Sequence, residues 1–124
     1  MTKTKGTIPP DKLELILEAL KEKKAKEIIT INLEKIGTAI CDHFVICHGD
    51  STTQVDALSG SVSRKLKSEL NTGAHHIEGN ENSLWVLMDY SDIVVHIFLN
   101  ETRSFYNLEE LWADGEMKRI EDAK

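Results

Sequence analysis

The chain has 124 residues, 40% of them hydrophobic and 29% charged, with a formal net charge of −6. That is enough for one domain around one modest core, and it excludes a disordered chain. No apolar run approaches the roughly 18–20 residues needed to cross a bilayer, and the opening MTKTKGTIPP has no apolar signal core, so a cytoplasmic protein is expected.

Residues 1–10 are polar and read as a flexible N-terminus. Pro9 and Pro10 lead to Asp11, a residue suited to cap a helix, and Leu13, Ile16, Leu17 and Leu20 then recur on one helical face. Glu27 to Leu33 alternates around Ile29, Ile31 and Leu33 and reads as a strand, and Glu34 to Asp42 as a loop. His43 to His48 is a second strand, apolar on both faces. Ser51 with Gln54 three residues later fits a capping box for a helix whose buried stripe is Val55, Leu58, Val62, Leu66 and Leu70, with Gly73 as its stop.

Ala74 to Glu78 reads as a short strand. Ser83–Asp89 and Ile93–Leu99 follow as two apolar runs joined by Tyr90-Ser91-Asp92, a hairpin-length connection. In the second run Ile93, Val95, Ile97 and Leu99 point one way, and Val94, His96 and Phe98 the other. Both sets are largely apolar, so this strand belongs near the centre of a sheet. In the first run Leu84, Val86 and Met88 form an apolar face, and Trp85, Leu87 and Asp89 a mixed one. Arg103–Tyr106 reads as a helical turn. Asn107 with Glu110 suggests a short capped helix packing Leu108, Leu111 and Trp112. Residues 113–124 read as a charged, fraying tail after a domain spanning 11–112. The fold class is α/β: one domain, a mixed sheet of about five strands, and helices packed on it.

The charge is unevenly placed. From Glu78 to Glu110 there are seven acids (Glu78, Glu81, Asp89, Asp92, Glu101, Glu109, Glu110) against Arg103 alone, an excess equal to that of the whole chain. Such a window repels phosphate, which argues against a direct grip on nucleic acid, and it would steer in a basic partner. A merely solvated acidic surface has the same composition.

Several constellations invite a chemical reading. Gly49-Asp50-Ser51 lies at a strand-to-helix junction where amides can cradle phosphate, but it carries a carboxylate and no lysine, and helix capping explains it better. Asp89 and Asp92, if joined by Asp50, could hold Mg²⁺ for nucleotidyl transfer, although turns attract aspartate for backbone reasons. Cys41, His43 and Cys47 could share a strand face if the strand begins early, with His48, His75 and His76 nearby. No zinc-type pair spacing is present, however, and two cysteines in a strand are ordinarily small apolar residues in a reducing compartment. His96, set between valine and isoleucine, reads as a core histidine. Trp85 is either a core tryptophan or an interface anchor, and its acidic surroundings favour the latter.

The segments Glu78-Gly79, Asn82-Ser83, Trp85-Val86-Leu87, Asp89-Tyr90-Ser91-Asp92, Val95-His96 and Tyr106 to Trp112 together resemble the ribosomal silencing factor family (RsfS, Iojap-like). Asp42 to Cys47 and Gly49-Asp50-Ser51 match an earlier segment of its pattern, and the similarity runs from about Leu13 to Trp112. The resemblance implies a cytoplasmic translational repressor with no cofactor and no enzymatic activity, on a fold related to nucleotidyltransferases. It implies binding to the large ribosomal subunit through its ribosomal protein number fourteen, a block on small-subunit joining when nutrients are scarce, and often a homodimer. It carries partner binding onto Trp85 and Asp89; hairpin geometry adds Tyr90 and Asp92. The alternative is a divergent metal-dependent nucleotidyltransferase using Asp50, Asp89 and Asp92.

Overall fold

The computed structural model describes residues 11–37 and 41–120. The expectations for residues 1–10, including Pro9 and Pro10, lie outside the described residues. Helix α1 (Lys12–Glu22) starts where the Asp11 carboxylate accepts the Leu13 N–H, and it buries Leu15, Ile16, Ala19 and Leu20. Strands β1 (Lys26–Asn32) and β2 (His43–Gly49) pair antiparallel and precede the long helix α2 (Thr52–Leu70). Ser51 caps α2 as expected, its Oγ accepting the Gln54 N–H at 3.1 Å. The Gln54 side chain closes the loop one residue early, accepting from the Asp50 N–H at 2.8 Å. The helix ends on Asn71, left-handed at φ 52°, rather than on Gly73. Asparagine tolerates that conformation well enough to take the terminating role.

Short strand β3 (His76–Glu78) and strand β4 (Trp85–Asp89) lead through the hairpin into β5 (Ile93–Leu99). Helices α3 (Asn100–Tyr106) and α4 (Leu108–Leu111) follow, then strand β6 (Glu116–Arg119). The sheet therefore has six strands, in the order β3-β4-β5-β2-β1-β6, with β2 and β5 parallel at its centre and every other pair antiparallel. Part of the expected charged tail is its sixth strand. β6 pairs with β1 along Met117↔Ile31 and Lys118↔Thr30, although all four of its side chains are exposed. Gly115 admits it, because a Cβ there would stand 2.5 Å from the Ile31 side chain.

Two cores sandwich the sheet. On one face α1 and α2 pack against Val45, Cys47, Val86, Met88, Val95 and Ile97. The Ser61 hydroxyl donates to the Ala19 carbonyl at 2.9 Å where the two helices meet. On the other face Ile29, Ile31, Phe44, Ile46, Val94 and Phe98 gather under Leu108 of α4, with Trp112 beside them. That second cover is short, and Leu111, expected to pack, is 71% exposed. The β4 end of the second face is thus left partly open.

Candidate partner-binding face

Trp85, Leu87 and Asp89 alternate along β4 onto the open face, and all three are half-buried. Across β5 they stand opposite Phe98, His96 and Val94. The Trp85 ring stacks on Phe98 at 5.0 Å between centroids and lies 4.6 Å from Tyr106 of α3. Its Nε1–H donates to His96 Nδ1 at 3.1 Å. Because burial pulls the His96 pKa down to about 4, the imidazole is neutral at ordinary pH and able to accept.

Beside Trp85 the surface continues as a shallow groove of about 510 Å³, bounded by Leu84, Phe105, Tyr106, Glu101 and Asn82. Phe105 is 81% exposed and Tyr106 48%. Gly79, at φ +84°, closes the groove from the β3–β4 turn. A Cβ at that position would sit 1.9 Å from the Trp85 carbonyl oxygen, so no side chain fits without moving β4.

Arg103 holds the far wall in place. Its buried guanidinium donates to the Glu27 carbonyl at 2.8 Å and to His48 Nδ1 at 2.9 Å, and pairs with Glu109 at 2.9 Å. Burial, reinforced by that guanidinium, lowers the His48 pKa and keeps its Nδ1 an acceptor. One side chain thereby ties α3 to the bulged start of β1 and fixes where Tyr106 stands.

The acidic window divides on folding. Arg103 takes Glu109, Lys12 takes Asp92 at 2.7 Å, and His76 contacts Glu78 at 2.8 Å. Glu81, Asp89, Glu101 and Glu110 pair with no cation among the described residues. Asp89 Oδ1 accepts the Ser91 N–H at 2.8 Å, a turn-closing role that leaves its second oxygen free of that bond.

Two of the four expected contact residues are placed differently from the expectation. Tyr90 is 1% exposed and packs in the helix-side core with Val86 and Met88, so it cannot touch a partner directly. Asp92 is turned towards α1 by its ion pair with Lys12. Trp85 and Asp89 do lie together on the open face. Sequence reasoning missed Tyr106, Phe105 and Leu84 as neighbours of Trp85. The alternation did place Leu87 with Trp85, but the packing of α3 carried no sequence signal.

The carboxylate trio of the enzymatic alternative does not assemble. The Asp92 carbonyl bonds the backbone at the start of β2, accepting from His43 N at 3.1 Å, whereas Asp50 follows Gly49 at the other end of β2. The six residue steps from His43 to Gly49 span about 20 Å. The two cysteines also part, Cys47 in the helix-side core and Cys41 in the other, because Cys41 precedes the strand and escapes its alternation. Burial pushes the Cys47 thiol up to about 12. Among the described residues, no group of three His, Cys, Asp or Glu is placed to hold a metal ion. No helix among them is long and apolar enough to cross a membrane.

The family model described as "Ribosomal silencing factor during starvation" matches residues 7–124. A ribosomal silencing factor of Halalkalibacterium halodurans is 38% identical over 109 residues, covering 88% of this chain and 92% of that protein. One from Bacillus subtilis is 35% identical over 112 residues, covering 88% and 91%. A crystal structure of a Chromobacterium violaceum protein superposes with a TM-score of 0.78 at 36% identity, covering 91% of this chain and 93% of that one. Fold and sequence agree over almost the whole length, and the chain belongs to the ribosomal silencing factor family.

Proposed function

We propose that this protein represses translation in the cytoplasm without catalysis, by docking the open face of its sheet on the large ribosomal subunit and obstructing the small subunit. The docking partner is ribosomal protein number fourteen, a basic protein, and Trp85 with Asp89 forms the centre of contact. The observation that carries this reading is the half-buried Trp85 ring, backed by Phe98 and Tyr106, with Glu101 lining the groove beside it and Asp89 further along the same strand face, both without a cationic partner among the described residues. An aromatic anchor with acids nearby suits a basic surface, the ring supplying affinity and the acids orientation. Homodimerisation, which the family resemblance also implies, competes with docking only where it covers the same ring.

The test is to sediment large subunits with the wild-type protein and with Trp85→Ala, and to follow subunit joining in both. Truncation of a central aromatic anchor costs about 2 kcal/mol or more, so affinity should fall by at least roughly thirtyfold. A folded Trp85→Ala protein that still blocks joining at wild-type concentrations would place docking on another face.

A further inference from the structure

His96 lies in the middle of β5, 4% exposed, opposite Leu87. Its Nδ1 receives the Trp85 indole N–H at 3.1 Å, while its Nε2 is buried without a partner among the described residues. The one satisfied polar atom of this imidazole is therefore the one that holds the indole. Burying the other is costly, whereas a leucine would pack here without leaving a polar atom unpaired.

Stacking alone cannot fix the ring. The indole lies on Phe98 and against Tyr106, contacts between ring faces that do not engage its N–H, and its outer side-chain torsion has only a broad, roughly twofold preference. The hydrogen bond removes that ambiguity, because only one of the two flips points Nε1–H at His96. In that flip the N–H is consumed inside the sheet and the exposed part of the ring is hydrocarbon.

We propose that His96 is a positioning residue for partner binding, whose Nδ1 locks Trp85 in the single orientation that offers a docking partner ring carbon and no donor. This rests on the reading that the Trp85 face is the docking face. The matching group on the partner is consequently an aliphatic side chain, or the stem and cation of an arginine or lysine laid on the ring, and not an acceptor for the indole.

The experiment measures large-subunit affinity for wild type, His96→Leu, His96→Asn, Trp85→Phe and the double variant Trp85→Phe/His96→Leu. It also records the indole N–H magnetic resonance signals, which Trp85→Phe assigns between Trp85 and Trp112. Denaturant midpoints establish that each variant is folded. His96→Leu should shift the Trp85 indole signal and weaken binding at least about tenfold. His96→Asn places its Oδ1 where Nδ1 was, and should return both the signal and the affinity to within about threefold of wild type. In the Trp85→Phe background, which has no N–H to hold, His96→Leu should change affinity by less than about twofold.

An unmoved indole signal in His96→Leu overturns the proposal. So does unweakened binding despite a moved signal, or a His96→Leu penalty that persists in the Trp85→Phe background. If His96→Leu is not folded, the asparagine variant decides: loss of signal and affinity there, in a folded protein, equally overturns it. Wild type that fails to bind the subunit removes the docking reading and this proposal with it. The indole signals would still report separately whether His96 holds the ring.

Discussion

At the scale of single residues, two buried histidines are kept neutral so that they can accept. His96 takes the Trp85 N–H, and His48 takes an Arg103 N–H. Burial is the larger cause of the lowered pKa in both. In the unfolded chain a histidine binds its proton near 6.5, whereas folded His96 resists until about 4. Between those values the unfolded state holds more protons, so stability is full above pH 6.5 and declines as the pH falls towards 4. The span corresponds to about 3 kcal/mol for His96. Denaturant titrations at pH 7 and pH 4.5 should show a loss of that order, and a folded His96→Leu protein should lose markedly less. An equal loss in the variant would assign the acid sensitivity to other groups. The sequence showed that His96 was a core residue but not what it accepts, because strand parity gives the face and never the cross-strand partner. Tyr90 teaches the opposite lesson. Its parity with Val86 and Met88 already assigned it to the helix side, and proximity to Asp89 in sequence was the weaker guide.

At the scale of elements, the strong periodic signals were legible and the weak ones were not. β5 matches its expected span, Ile93–Leu99, because both its faces are apolar and both are covered. Phe98 is fully buried there between Trp85 and the second core, so Phe98→Ala should cost on the order of 3–5 kcal/mol if the site cannot collapse. A loss below about 1 kcal/mol in a denaturant titration would mean that α3 closes over the hole. β6 escaped notice because Glu-Met-Lys-Arg carries no hydrophobic alternation and buries no side chain. It exists through backbone bonds to β1 and through Gly115, which lets the chain come close to Ile31 and Leu33. Edge strands with charged side chains are a common way of ending a sheet without inviting another chain. The helix stop was misplaced by two residues because Asn71 competes effectively with glycine for the left-handed position.

At the scale of the molecule, the sheet is a wall with one finished side and one unfinished side. Helices α1 and α2 seal the first, while among the described residues the second is covered by the short helices α3 and α4 and by loop residues such as Leu33, Ile36 and Cys41. Of the acidic excess visible in the sequence, Glu109 and Asp92 are neutralised by Arg103 and Lys12, while Asp89 lies on the unfinished side and Glu101 lines its groove. What remains unpaired, Glu81, Asp89, Glu101 and Glu110, can act at a distance on a basic partner without holding it. That separation gives a measurable signature. Converting Glu81 and Glu101 together to Gln should slow association with the large subunit several-fold at low salt, and the difference should shrink as ionic strength rises, because the Debye length falls to about 8 Å at 0.15 M. Dissociation should change little, since neither carboxylate is buried. Glu14→Gln is the control. Glu14 is exposed on α1, on the sealed side, and pairs with no cation among the described residues, so its loss changes net charge without touching the open face. If Glu14→Gln slows association as much per charge as the double variant, the effect is one of total charge, and Glu81 and Glu101 have no directing role. If only the double variant slows it, the field is aimed, and the ring that His96 holds stands where the field delivers its partner.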